Sequence, residues 1–107
     1  MVIQDNNFRQ IKDFIKMSEL YDVVHVQLQI IEPDFHFKTP NYLETWLKKA
    51  VHEKTHKNYT ALIEVLKDSF FDKYLDSSYT GLNMTMGPLI PLRDGHDISQ
   101  YQEQSNK

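Results

Sequence analysis

His52, Glu53 and His56, in the string HEKTH, are the residues whose types and spacing most plainly suggest chemistry. Two histidines four apart on a helix project from one side, so both imidazoles can reach one zinc ion while the glutamate takes a proton from the bound water. Such a site needs a third protein ligand. Glu64, Asp68, Asp72 and His96 could supply it, but no spacing selects among them.

The string sits in segment 39–58, TPNYLETWLKKAVHEKTHKN, which reads as one amphipathic helix. Thr39 can cap it and Pro40 suits the first helical position, with Asn41 and Glu44 offering a second start. At helical spacing Leu43, Trp46, Leu47, Ala50 and Val51 share a face that should turn inward. Lys48, Lys49, His52 and His56 fall opposite, with Thr45 among them, so both imidazoles are expected in solvent. A histidine near a helix C-terminus is favoured there by the macrodipole. Over these five residues the chain resembles the zincin metallopeptidases. That resemblance implies His52 and His56 as metal ligands and Glu53 as general base, although Lys54 departs from the uncharged residues usual at that turn. A zinc-dependent hydrolase is therefore the alternative, and the primary reading assigns no cofactor.

Lys48, Lys49, His52, Lys54, His56 and Lys57 also make a locally basic segment that could meet nucleic acid. The inferred order α-β-β-α-α-β resembles the type II KH fold. That family grips the nucleic-acid backbone with a G-x-x-G loop between paired helices, and residues 54–58 contain no glycine.

The chain has 107 residues, a length for one domain. Hydrophobic residues at 40% and charged residues at 25%, with six Phe, six Tyr and one Trp, suffice for a folded core. A formal charge of -3 gives the whole chain no electrostatic match to phosphate backbones. The absence of cysteine removes disulfides and thiolate chemistry and suits a reducing compartment. MVIQDNNFRQ lacks the pattern of a leader, and no apolar run reaches the roughly 18 residues of a membrane span. The expectation is a cytoplasmic protein that does not associate with membranes.

Along the chain, Asn7 and Gln10 resemble a capping box opening a helix with Phe8, Ile11, Phe14, Ile15 and Ser18 on its inner face. Val24, Val26, Leu28 and Ile30 alternate with polar residues as in a half-buried strand. Glu32-Pro33-Asp34 is a turn, and Phe35 and Phe37 suggest a return strand, giving a hairpin. Asn58 caps the next helix, whose stripe is Tyr59, Leu62, Ile63, Leu66 and Phe70, while Phe71 and Leu75 fall off that stripe. Leu82, Met84 and Met86 alternate like a further strand. Pro88 and Pro91 confine PLIPL to an edge strand or an extended arm. The fold expected is α+β, three helices packed on a small antiparallel sheet. Residues 1–98 form the domain and 99–107 a polar, flexible tail.

No glycine-rich phosphate loop and no nucleophile elbow is present, and Asp94, His96 and Asp97 read as a solvated turn. The function that fits is a small non-enzymatic, intracellular protein-interaction module of inhibitor, immunity or adaptor type. Its partner-binding residues are Lys48, Lys49, His52, His56, Phe71 and Leu75, with a homodimer through Phe71 and Leu75 as its most concrete form. With Trp46 on the inner face, Trp46→Ala should cost about 3–5 kcal/mol, read as a lowered denaturation midpoint.

Overall fold

A computed structural model of the chain describes residues 1–33 and 41–99. The architecture is mixed α+β, organised about one extended stretch that carries β2 (His25–Gln27) and β3 (Gln29–Ile30). Successive backbone groups of an extended chain point to opposite edges, and this stretch uses both. On one edge β4 (Asn83–Thr85) pairs with β2, with Val26 opposite Met84. On the other, β1 (Val2–Ile3) pairs with β3, with Ile3 opposite Ile30. The edges change over at consecutive residues: Leu28 N–H donates to Thr85 O at 2.8 Å and Gln29 N–H to Met1 O at 2.9 Å.

Both pairings are parallel, which corrects the expected antiparallel hairpin. Parallel neighbours need long crossovers, and the helices supply them: α1 (Ile11–Leu20) between β1 and β2, and α2 (Tyr42–Lys49), α3 (Tyr59–Leu66) and α4 (Asp72–Leu75) between β3 and β4. The return strand expected at Phe35 and Phe37, and the helix start at Thr39 and Pro40, lie outside the described residues. So does the expected tail beyond Ser99.

The alternation expected of the first strand holds for Val26, Leu28 and Ile30, which are buried, while His25, Gln27 and Gln29 are exposed. It fails at Val24, which is 81% exposed. The chain bends there on its way out of α1, ahead of the strand, so this side chain lies beyond the core's edge.

Phe8, Ile11 and Ile15 pack in the core with Leu62 and Leu66 of α3 and with Leu82, Met84 and Met86 around β4. Asn7 does not form the expected capping box. Its Oδ1 accepts from Gln4 N–H at 2.9 Å and its Nδ2 donates to Val2 O at 2.9 Å, and a 3-10 turn at Phe8–Gln10 leads into α1. α3 ends at Leu66, because Asp68 Oδ1 takes Phe70 N–H at 2.9 Å and starts a 3-10 turn at Ser69–Phe71 that leads into α4. PLIPL is not an arm but most of α5 (Leu89–Arg93), with Pro88 as its N-cap. Proline is tolerated in the first turn, where an N–H has no intrahelical acceptor. Leu89 and Leu92 are thereby turned fully inward.

Phe71 is also fully buried in this core and Leu75 is half-buried. The homodimer expected through these two residues thus has no Phe71 surface to use. Phe71→Ala should cost about 3–5 kcal/mol by opening a cavity. A urea midpoint within error of wild type would show the ring to be dispensable to packing.

Candidate interaction surface

The helix expected over 39–58 is present only as α2, Tyr42–Lys49. Asn41 precedes it in the left-handed region at φ 71, a conformation asparagine tolerates better than most residues. After Lys49 the backbone breaks at Ala50, with ψ 76, and continues through short turns in which Glu53 N–H bonds Ala50 O and His56 N–H bonds Glu53 O, each at 2.9 Å. His52 and His56 are therefore not one helical turn apart on a common face.

The two histidines also do not stand in water, which corrects the expected solvated pair. His52 and Glu53 are buried, at 0% and 2% exposure. Nε2 of His52 lies 3.3 Å from Oε2 of Glu53, and its ring meets Trp46 edge-on with centroids 5.9 Å apart. Trp46 donates Nε1–H to Ile31 O at 3.3 Å. The inward side of this segment thus includes the imidazole that helical spacing assigns outward.

His56 has a different task. Its Nε2–H donates to Lys48 O at 2.8 Å, and its Nδ1 accepts Asn58 N–H at 3.0 Å, so the hydrogen bonds fix the tautomer. The first bond satisfies a carbonyl that α2 leaves without a helical partner at its C-terminal end. Nearby, Asp5 N–H takes Lys49 O at 2.9 Å, and Asn58 Nδ2 donates to Asp5 Oδ1 at 2.8 Å. This ring is a staple that ends α2 and begins the approach to α3, and no ring nitrogen lone pair is left for a cation. Among the described residues no cluster of three or more His, Cys, Asp or Glu could hold a metal.

Lys48, Lys49, Lys54 and Lys57 are exposed as expected. Of these, Lys48 and Lys57 line an open groove of about 720 Å³ together with Leu43, Leu47 and Thr55. Lys48 stands 3.8 Å from Glu44, an exposed pair worth little on its own. Of the six partner-binding residues named from the sequence, only the two lysines are fully on the surface. His52 and Phe71 are interior, and His56 and Leu75 are half-buried.

A second surface was not singled out by the sequence reading. Among the described residues seven large hydrophobic side chains are exposed, and five of them, Met17, Leu20, Tyr21, Val23 and Val24, lie in one eight-residue stretch where α1 passes into β2. Contiguous exposed apolar side chains mark interaction sites more often than scattered ones do. The available signal was the spacing of Met17, Leu20 and Tyr21, a second apolar stripe at i, i+3 and i+4 beside the one that feeds the core. The fold holds this end of α1 firmly. Val23 N–H returns to Ser18 O at 2.9 Å, with Asp22 turning through φ 58. The Glu19 carboxylate accepts from the hydroxyls of Tyr74 and Tyr79, with Lys73 Nζ at 4.0 Å.

The Tyr74 hydroxyl, more than the Tyr79 hydroxyl or the Lys73 charge, holds the Glu19 carboxyl below its ordinary 4.5 against the opposing effect of burial. Burial and then the Glu19 carboxylate push the Tyr74 phenol upward.

No family model matches the chain, and no curated protein or solved structure matches it either. Among the described residues no helix is long and apolar enough to cross a membrane.

A carboxyl with a lowered folded-state value contributes stability above its unfolded value and loses it as pH falls through the folded one. Tyr74→Phe should therefore lower the urea midpoint at neutral pH, and the deficit relative to wild type should shrink once both states bind the Glu19 proton. A deficit of constant size from neutral to acid pH would assign the loss to packing alone.

Proposed function

We propose that this chain is a small non-enzymatic protein-interaction module that binds through the apolar cluster at residues 17–24. The observation that carries this reading is the concentration of exposed hydrocarbon there. The core is filled without these five side chains, and the Glu19 hydrogen bonds hold them outward on a fixed end of α1. Leaving Leu20 at 76%, Tyr21 at 72% and Val24 at 81% exposure has a cost in water that a partner would remove. Tyr21 adds a large amphipathic ring, a type enriched where proteins meet. The HEKTH string serves the fold in this reading: His52 and Glu53 belong to the interior and His56 closes a helix end.

A photo-reactive residue at position 20, introduced in the native host, should give a discrete cross-linked adduct, whereas the same residue at exposed Glu64 on α3 should not. Leu20→Asp should abolish the adduct formed from position 21 while changing folding stability by no more than about 0.5 kcal/mol, as expected of a surface substitution. Equal labelling from positions 20 and 64, or none from either, would remove this cluster as the interface.

A further inference from the structure

The apolar cluster at residues 17–24 borders two grooves of different character, and Val23 lines both. The first, of about 370 Å³, opens between α1 and β2 and is walled by Phe14, Met17, Tyr21, Val23 and Val26 among others. Three polar residues in its wall are already engaged. Ser18 Oγ donates to Phe14 O at 2.9 Å, the His25 ring reaches Thr85 Oγ1 at 2.9 Å, and Gln27 O accepts from the Met1 nitrogen at 2.8 Å. What this groove offers an incoming group is therefore mainly hydrocarbon.

The second groove, of about 350 Å³, is lined by Glu19, Asp22, Val23, Val24, Gly81 and Leu82. Its two charged side chains are both carboxylates, and among the described residues no cationic side chain lines it. They stand at the C-terminal end of α1, where the helix dipole already makes the potential negative and a lysine or arginine is the stabilising choice. The last turn of α1 has no basic residue. Lys73 Nζ comes only to 4.0 Å from Glu19 Oε1. Among the described residues the Asp22 carboxylate has neither an ion pair nor a hydrogen bond. The fold accounts for the Glu19 carboxylate, which accepts from the Tyr74 and Tyr79 hydroxyls. It does not account for the charge of Asp22, because the turn at φ 58 is met as well by asparagine or glycine.

We infer that the partner of this surface is a protein segment that sets a large apolar side chain beside a lysine or arginine, the first seated between α1 and β2 and the second over Glu19 and Asp22. This rests on the reading of the 17–24 cluster as an interface and states the chemistry of what it binds. Because Val23 belongs to both grooves, one short stretch of the partner reaches them together. Exposed hydrocarbon alone would accept any apolar surface. The carboxylates beside it select a cationic neighbour and repel nucleic-acid backbones and anionic headgroups. The cation also supplies what the end of α1 lacks within its own chain.

Selection of short random peptides against the full chain tests this. Enriched sequences are expected to place Leu, Met, Phe or Trp within a few residues of Lys or Arg. The strongest of them, synthesised and titrated by fluorescence anisotropy, should bind Asp22→Asn about three- to fivefold more weakly, as the loss of one exposed ion pair implies. Its salt dependence should flatten as well, while asparagine keeps the left-handed turn. Met17→Gln, which replaces hydrocarbon in the first groove at similar size, should weaken binding about tenfold with the melting temperature unchanged. Glu64→Gln on α3 should alter neither affinity nor salt dependence. Enriched peptides without a basic residue, or an affinity indifferent to Asp22→Asn, overturn the inference. So does an adduct from position 20 whose cross-linked segment, mapped by mass spectrometry, has no basic residue nearby; the interaction surface then stands without its ionic half. A wild type that dimerises through this surface, with Met17→Gln dissociating the dimer, assigns it to a second copy and overturns the inference too. No enriched peptide together with no adduct sinks both the inference and the surface.

Discussion

Residues 25–30 form one extended stretch, and an extended backbone offers hydrogen-bonding groups alternately to left and right. Here β4 takes the left edge of the first half and β1 the right edge of the second, so the same six residues join the two ends of the described chain. Most other features follow from satisfying that stretch. Both neighbours run parallel to it, so each has to be reached by a helical crossover, and those helices close over Val26, Leu28 and Ile30 to make the core. The half-strand that neither neighbour covers is also where the surface is most apolar.

The second organising device is the end of α2. A helix terminus leaves carbonyls without partners, and here His56 returns from seven residues beyond the last helical position to take one of them, with Asp5 taking the next. Stopping the helix at Lys49 rotates the following residues out of helical register. His52 and Glu53 go inside beside Trp46, and Lys48 and Lys57 remain at the groove alongside α2. A string that would present two imidazoles to one ion if helical has become a structural connection.

Function, in this view, attaches to what the fold leaves over. The Glu19, Tyr74 and Tyr79 hydrogen bonds tie the last turn of α1 to the segment before β4, so the apolar side chains beyond it project from a fixed base. An interface on a rigid base avoids much of the ordering entropy that a mobile segment would lose on binding. The same bonds separate that surface from the core, so substitutions on the two should have different consequences.

Periodicity made much of the core legible. Ile11 and Ile15, Leu62 and Leu66, and Val26, Leu28 and Ile30 are all buried, as helical or strand spacing implies, and Met84 is buried in a strand. The mixed α+β class follows from the same patterns. The sequence alone did not determine where α2 stops, that the strands pair in parallel, that PLIPL folds as a helix, or that Val2 and Ile3 join the sheet. Those choices depend on partners far along the chain: a carbonyl that needs His56, an edge that Val2 can reach, a pocket that Leu89 and Leu92 fill. Local spacing records which side chains are apolar and how often they recur. Which backbone groups remain unsatisfied, and hence where a helix breaks or a strand edge stays open, is decided only when distant segments meet, because a hydrogen bond has two ends and one stretch of sequence contains only one of them.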